Sequence, residues 1–219
     1  FPEKTNRKKL ISILKNAAYH DDSGIVEEVL FSLPKNLTGA GIVRQELVHK
    51  IIDSNDRFLG TVSELGEKRG FDTMVLKEPV TGEVRFISSK LFMIVETFFG
   101  DFSANKEKPT LVIAGGETTV RVNGEGRGGR NCEMAMRFAL FIEYKKYVIL
   151  TAGTDGIDGN SDLAGGIVDG FTMSRSTSPD FVRKLASNDS GEWLLSCGAA
   201  VKTGSTGINL ADLYLICRY

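Results

Sequence analysis

Two short, largely apolar segments constrain the fold of this chain more than any other feature of its sequence. They are TLVIAGG at residues 110–116 and YVILTAG at residues 147–153. Apolar runs of this length that end in small residues are typical of buried strands. Between them lies NCEMAMRFALFIEYKK, whose apolar spacing predicts a helix that begins at Asn131. A buried strand, a helix and a second buried strand together predict an α/β sheet.

The same alternation continues on both sides of this pair. Further strands are predicted at residues 47–52, 71–78, 199–204 and 212–219, and further helices at 56–70, 84–102, 180–189 and 192–198. Strands that alternate with helices usually run parallel, because each helix carries the chain back across the sheet. We therefore expect a mixed, mostly parallel sheet with helices on both faces.

The opening of the chain has a different pattern. Residues 1–46 show apolar side chains at helical spacing but no strand of their own. We therefore predict a short helical segment at residues 1–46, the end of a truncated amino-terminal domain, followed by one α/β domain at 47–219. The first residues, Phe-Pro-Glu, do not resemble a natural start, so we expect upstream sequence to be missing.

Composition excludes several classes of protein. The 27 basic and 28 acidic residues give a net charge of −1, which argues against a general nucleic-acid binder. Three scattered cysteines, with no CxxC pair, do not form a disulfide framework or a zinc site and suit a reducing compartment such as the cytoplasm. No apolar run reaches the ~20 residues that a membrane span needs.

Four polar segments, most of them rich in glycine, follow or precede the predicted strands. We call them segment 1 (residues 115–119), segment 2 (123–133), segment 3 (154–162) and segment 4 (202–209). In open α/β sheets, ligands bind outside the carboxyl ends of the strands. We therefore expect the four segments to meet at a single edge of the sheet.

Segment 2 carries the features of an anion-binding loop. Its four glycines, which include Gly128 and Gly129, free backbone N–H groups to point inward. Arg127 and Arg130 add planar cations, and the predicted helix from Asn131 offers unpaired N–H donors at its amino end. A flexible hairpin with surface arginines is the alternative. The combination favours a site for phosphate or carboxylate.

Segment 2 also matches the letters GxGxxG at Gly124, Gly126 and Gly129. This match alone is a weak sign of a dinucleotide site. The glycines do not follow the first strand of a βαβ unit, and Arg127 lies where a tight pyrophosphate turn usually has small residues. An NAD(P)-dependent reductase remains the second hypothesis.

Segment 3 concentrates negative charge. Asp155, Asp158 and Asp162 crowd into nine residues, and carboxylates that lie close together repel unless a cation joins them. Carboxylate oxygens suit Mg²⁺, which prefers one or two of them together with phosphate oxygens and waters. The three aspartates are therefore predicted metal ligands. A solvated turn built on the Asp-Gly pairs is the alternative.

Segments 1 and 4 supply further polar groups. Glu117 projects from segment 1 at the end of a strand, where it either serves the site or is merely solvated. In segment 4, hydroxyls alternate with glycines beside a lysine, a composition that suits phosphate or carboxylate although a plain turn is the alternative. Its candidate binding residues are Lys202, Thr203, Gly204, Thr206 and Asn209.

Taken in order, the sequences GGETTV, GRGGRNCE, LTAGTDGIDG, AGGIVDG, NDS and KTGSTGIN resemble those of glycerate kinases of the MOFRL type. The resemblance runs from about Thr110 to Leu215. It implies transfer of phosphate from ATP to D-glycerate, commonly giving 2-phosphoglycerate, with Mg²⁺, in a cleft between this domain and an amino-terminal domain. Cys132 stands where the family usually has glutamine.

The resemblance and the residue chemistry together suggest a division of roles. Arg127 and Arg130 would hold the transferring phosphate or a carboxylate. Asp155, helped by Asp158 or Asp162, would bind Mg²⁺ or take the proton from the attacking hydroxyl. Glu117 would orient the metal or a ribose, and segment 4 would contact anionic oxygens. The alternatives are a hydroxypyruvate reductase and a non-catalytic remnant; a homo-oligomer is left open.

Overall fold

The computed structural model describes residues 54–101, 108–176 and 180–219. The helices are α1 (Asn55–Lys68), α2 (Val84–Asp101), α3 (Arg130–Phe141), α4 (Thr172–Arg175), α5 (Phe181–Ala186) and α6 (Ser190–Ser196). The strands are β1 (Asp72–Val75), β2 (Val80–Glu83), β3 (Thr110–Thr119), β4 (Tyr147–Gly153), β5 (Gly165–Asp169), β6 (Ala200–Val201) and β7 (Asp212–Arg218). No helix within these three ranges is long and apolar enough to cross a membrane.

The seven strands form one sheet with the order β1-β3-β7-β4-β5-β6, and β2 also pairs with β3. The predicted mixed α/β sheet is confirmed. The expectation of mostly parallel strands is wrong, because β3–β7, β7–β4, β4–β5 and β5–β6 are all antiparallel, and only β1 and β2 pair parallel with β3. The last strand, β7, inserts between β3 and β4 and runs against both. The connection from β4 to β5 contains no helix, so the chain returns antiparallel.

Helices cover both faces of the sheet, as the alternation predicted. On one face, α2, α3 and α6 enclose the larger core, in which Phe138, Trp193 and Ile216 are fully buried. On the other face, α1 packs Leu59 against Ile113 of β3. Side chains of β7 alternate between the two faces, so one central strand contributes to both cores.

Several elements differ from the sequence prediction. Segment 1 is not a loop but the last part of β3, since β2 pairs with one side of β3 and β7 with its other side in this region. Strands β2 and β5 were not predicted. Helix α3 begins at Arg130 rather than Asn131, and it ends at Phe141, a few residues before Tyr144, which has a left-handed backbone (φ 59°). The predictions for residues 1–52, including the domain boundary at 46/47, lie outside the described residues.

Candidate active site

The four segments converge at the edge of the sheet where β3 and β4 end and β7 begins. Asp212, the first residue of β7, pairs with Gly116 of β3 on one side and Gly153 of β4 on the other. Because β7 is antiparallel to both neighbours, its start lies beside their carboxyl ends. Helix α3 begins at the same edge, since Arg130 and Asn131 both bond to Asp212.

Hydrogen bonds join the segments into one surface. The N–H of Gly128 in segment 2 donates to Oδ1 of Asn160 in segment 3 (3.0 Å). The N–H of Thr206 in segment 4 donates to the carbonyl of Asp155 (3.1 Å), and the Thr206 hydroxyl donates to the carbonyl of Thr154 (2.6 Å). Segments 2 and 4 are thus both attached to segment 3. The structure therefore brings together segments that are far apart in the chain.

The glycines of segment 2 are explained by packing inside the protein. A Cβ on Gly129 would lie 2.5 Å from Oδ1 of Asp158 and from the backbone nitrogen of Gly159. A Cβ on Gly128, where φ is +135°, would lie 2.6 Å from Oγ of Ser190. Both positions thus require glycine without any ligand. The predicted role of Gly128 and Gly129 in phosphate binding gains no support from this observation.

Arg130 is held in one orientation by a buried carboxylate. Its Nε donates to Oδ2 of Asp212 (2.7 Å) and its Nη2 to Oδ1 (3.0 Å), a two-point contact with a side chain that is 0% exposed. Nη1 lies 3.6 Å from Oε1 of Glu117, an exposed residue of segment 1. The bond to Asp212 raises the pKa of Arg130, against the opposing effect of partial burial.

Asp212 has further donors and was not predicted as a site residue. It accepts from Nδ2 of Asn131 (2.9 Å) and from the Tyr214 hydroxyl (3.1 Å). Burial and the neighbouring Asp212 both raise the pKa of Tyr214, so its hydroxyl remains a donor. An aspartate at the start of the apolar run DLYLICRY was the sequence signal that could have identified it.

Asp158 is buried at the amino end of α3. Its Oδ1 accepts from the N–H of Asn131 (3.0 Å) and its Oδ2 from the N–H of Cys132 (2.7 Å). Burial raises the pKa of Asp158, and these two hydrogen bonds oppose that rise. The expectation that the amino end of this helix holds a ligand is wrong for these two amides, because a carboxylate of the protein already occupies them.

The other two aspartates of segment 3 have separate partners. Asp162 is exposed and forms ion pairs with Lys202 and with Arg127 (3.1 Å), and the hydrogen bond from Lys202 lowers the pKa of Asp162. Asp155 accepts from the N–H of Ile157 (3.1 Å) through Oδ1. Within the described ranges, no group of three His, Cys, Asp or Glu residues could hold a metal ion. The structure therefore does not gather the three aspartates into one site, and metal binding by any of them stays a prediction.

Arg127 differs from Arg130 in exposure and in pairing. Its side chain is 49% exposed and bridges Asp162 and Glu192 (2.9 Å) on the surface. Its backbone N–H donates to Oδ1 of Asp189 (3.0 Å). Each arginine thus lies near two carboxylates. Those of Arg127 are both exposed, whereas Arg130 has a buried partner, Asp212, and an exposed neighbour, Glu117.

A groove of about 600 Å³ lies beside Arg130. Its lining comprises Thr81, Glu117, Thr118, Thr119, Val120, Gly129, Arg130, Asp158 and Gly159. Segment 4 does not line this groove. Thr203 and Thr206 hydrogen-bond mainly to backbone carbonyls, and Oδ1 of Asn209 accepts from the N–H of Ala211. The groove therefore brings the predicted Glu117, Gly129, Arg130 and Asp158 together and leaves Lys202 apart.

Asp155 lies close to the residues that surround Asp212. A Cβ built on Gly153 would be 3.0 Å from Oδ1 of Asp155 and 3.6 Å from Nδ2 of Asn131. That same Nδ2 donates to Asp212, which holds Arg130. Asp155 and Arg130 thus lie near the same buried carboxylate at the end of β4.

Comparison with known proteins agrees with the resemblance noted in the sequence. Residues 110–212 match the model of the MOFRL family. The chain is 33% identical over 222 residues to D-glycerate 2-kinase of Thermotoga maritima, covering 98% of this chain and 50% of the relative. It is 34% identical over 174 residues to glycerate 2-kinase of Picrophilus torridus, covering 79% of this chain and 38% of the relative.

A solved structure extends the likeness to the fold. The crystal structure of glycerate kinase from Thermotoga maritima aligns with a TM-score of 0.68 and 30% identity, over 100% of this chain and 52% of that one. The chain thus spans about half the length of the curated relatives that it matches.

Proposed function

The chain belongs to the MOFRL family, and from this premise we propose that it forms part of a glycerate kinase, which transfers the γ-phosphate of ATP to D-glycerate. The observation that carries the proposal is the fixed guanidinium of Arg130 at the edge of a groove. Because the chain covers about half of its relatives, the complete cleft is proposed to need an amino-terminal domain. The reaction would take place in the cytoplasm.

Arg130 would bind the transferring phosphate or the carboxylate of glycerate through Nη1. Phosphoryl transfer depends mainly on positioning the reactants and offsetting negative charge, and a guanidinium does both. Glu117, 3.6 Å from Nη1 and exposed, would move aside when an anion binds. Arg127 and Lys202 do not line the groove, and each would contact an anion only by exchanging its present carboxylate partner, Asp162 or Glu192, for it.

Of the three predicted metal ligands, Asp155 fits Mg²⁺ best, since Asp162 is already paired with Lys202 and Arg127. One of its oxygens accepts a backbone N–H, and a single carboxylate together with phosphate oxygens is a usual Mg²⁺ environment. Asp158 does not fit, because both of its oxygens accept N–H groups of α3. A bound Mg²⁺ would offset the charge of the ATP phosphates. Alternatively, Asp155 would take the proton of the attacking hydroxyl.

The reductase hypothesis is not favoured. The GxGxxG letters lie after β3, where Gly124 and Gly126 pack against Ser187 and Asp189. This packing explains the two glycines without a pyrophosphate. A melting experiment separates the two hypotheses, since a ligand that binds the folded state raises its melting temperature. ATP with Mg²⁺ should raise it, and NADPH should not.

Turnover by the full-length protein tests the kinase proposal. Arg130→Ala and Asp155→Asn should each lower ATP turnover in the presence of D-glycerate by about 10²–10³-fold. Because Arg130→Ala leaves the buried Asp212 without its cation, we expect this variant to melt at a lower temperature, and turnover is compared where circular dichroism shows each protein folded. Arg175→Ala is the matched control, because Arg175 also pairs with an aspartate, Asp169, but at the opposite end of β4. Normal turnover in both site variants would remove these residues from the active site.

A further inference from the structure

We propose that Asp212 is a positioning residue: its buried carboxylate fixes the guanidinium of Arg130 so that Nη1 faces the groove and receives the anion. This inference rests on the proposed function for the identity of the anion. The two-point contact between Asp212 and Arg130 carries it.

The donors of Arg130 divide into two sets. A guanidinium has five N–H groups in a rigid plane. Asp212 accepts one from Nε and one from Nη2, which lie along a single edge of the planar group. Two contacts to one carboxylate stop rotation about the last bonds of the side chain. The Nη1 group therefore keeps a defined direction even though Arg130 is 32% exposed.

Asp212 is itself fixed from several directions. Asn131 donates to Oδ1 and the Tyr214 hydroxyl donates to Oδ2. The backbone of Asp212 pairs with β3 on one side and with β4 on the other. The N–H of Thr118 lies 3.5 Å from Oδ2. A carboxylate with this many donors has one orientation, and it transmits that orientation to Arg130.

Another arginine–aspartate pair within the described residues lacks these surroundings. Arg175 pairs with Asp169, but that carboxylate is 32% exposed and lies at the far end of the sheet. Asp212, in contrast, is 0% exposed, and one of its donors, Arg130, lines the groove. The Asp169–Arg175 pair therefore provides a control of the same chemistry without the same surroundings.

A double-mutant cycle in the full-length protein tests whether Asp212 acts through Arg130. Asp212→Asn should lower kcat/KM roughly 10²-fold, the effect of misplacing a catalytic group, with most of the loss in kcat. In the Arg130→Ala background the same change should have almost no further effect. Asp169→Asn should leave kcat/KM unchanged. An equal loss from Asp212→Asn in both backgrounds would overturn the proposal, because it would show a role independent of Arg130.

Chemical rescue gives a readout that a merely structural role would not change. Free guanidinium should restore part of the activity of Arg130→Ala, because Asp212 remains to bind it. Rescue should be at least about tenfold weaker in Arg130→Ala/Asp212→Asn. Equal rescue in the two variants would contradict the proposal. If Asp212→Asn does not fold, Tyr214→Phe replaces it in both experiments, because it removes one hydrogen-bond donor to Asp212. Tyr214→Phe should then lower activity when residue 130 is arginine and have no further effect in Arg130→Ala.

A spectroscopic measurement separates this inference from the kinase proposal. In the ¹H–¹⁵N spectrum, the Nε–H signal of Arg130, assigned by its loss in Arg130→Lys, should exchange slowly with water in the wild type and rapidly in Asp212→Asn. An inactive wild type with a protected Nε–H would contradict the proposed function but keep the positioning role. Rapid exchange in the wild type would overturn the positioning role.

Discussion

Carboxylates, more than arginines, organise the residues of segment 2 and of the groove. Asp158 accepts the first amides of α3, Asp189 accepts the N–H of Arg127, and Asp212 accepts the guanidinium of Arg130. Asp158 and Asp212 satisfy donors that would otherwise be left unpaired inside the protein, whereas Asp189 is 18% exposed. The cations and amides of segment 2 are therefore held by fixed negative charges before any ligand arrives.

Asp189 gives a pH-dependent prediction. Burial opposes its ionisation, but the hydrogen bonds from Lys184 and from the N–H of Arg127 outweigh burial and lower its pKa. Because the pKa is lower in the folded state, Asp189 stabilises the fold above its unfolded pKa of about 3.9, and this stabilisation is lost as the pH falls through the folded value.

Asp189→Asn should therefore lower the free energy of unfolding by about 1.5–3 kcal/mol at pH 7, and the difference from wild type should shrink below about pH 4. Urea unfolding over a pH series measures it. Asp180→Asn is the control, since Asp180 makes a solvent-exposed ion pair with Arg183 and should matter by less than about 0.5 kcal/mol. A constant difference from pH 7 to 3 would contradict the assigned role of Asp189.

Cys132 should be inert in the folded protein. It is completely buried, and burial followed by the charge of Asp158 raises its pKa far above the usual range. The reactive form of cysteine is the thiolate. At pH 8, iodoacetamide should label Cys132 at least about 100-fold more slowly than in urea, and more slowly than the partly exposed Cys217. Peptide mass spectrometry measures both rates, and fast labelling of native Cys132 would contradict this prediction.

At the scale of elements, the close approach of segments 3 and 4 depends on one glycine. Gly156 has φ +84°, and a Cβ there would collide with the carbonyl of Gly204 and lie 2.6 Å from Oγ1 of Thr203. Gly204 has a similar φ, +70°, but a Cβ there would meet nothing within 4 Å. A side chain at either position would thus strain the backbone, but only a side chain at residue 156 would also collide with segment 4.

Replacing each glycine by alanine separates strain from contact. Gly204→Ala should cost about 1–2 kcal/mol of stability, the cost of a left-handed alanine. Gly156→Ala should cost more, because segment 4 must also move away, and it should lower turnover by displacing Asp155. Urea unfolding and turnover of both variants provide the measurements. Equal effects in both assays would show that the contact between the segments is unimportant.

At the scale of the whole molecule, β7 holds the two halves of the sheet together. It pairs along its full length with β3 and with β4, and these two strands do not pair with each other. Deleting residues 212–219 should therefore abolish folding, since both cores lose buried side chains and two ladders of hydrogen bonds.

Circular dichroism and hydrogen exchange test this role of β7. The deletion variant should lack a cooperative thermal transition, and in the intact protein the amides of β7 should be among the last to exchange. Deleting only Tyr219, which is 58% exposed, is the control and should leave folding intact. A folded protein without residues 212–219 would contradict the central position of β7.

Local patterns were sufficient for the main elements of the fold. The spacing of apolar residues and the length of each apolar run predicted α1, α2, α3, β4 and β7, because a helix or strand must turn its apolar side chains toward a core. They failed at β2 and β5, whose sequences VTGE and GGIVD contain glycine and little apolar periodicity. These strands form because neighbouring strands offer unpaired backbone groups, which no local pattern records.

By itself, the sequence determined the α/β class, the helices and the segments rich in charge and glycine, because these depend on side-chain chemistry and spacing along the chain. Only the tertiary structure determined strand direction and the partner of each charge. Asp155, Asp158 and Asp162 look equivalent in sequence, yet one is buried under a helix and one is paired on the surface. Asp212 became important because antiparallel pairing placed it beside Arg130, which is 82 residues away in the chain.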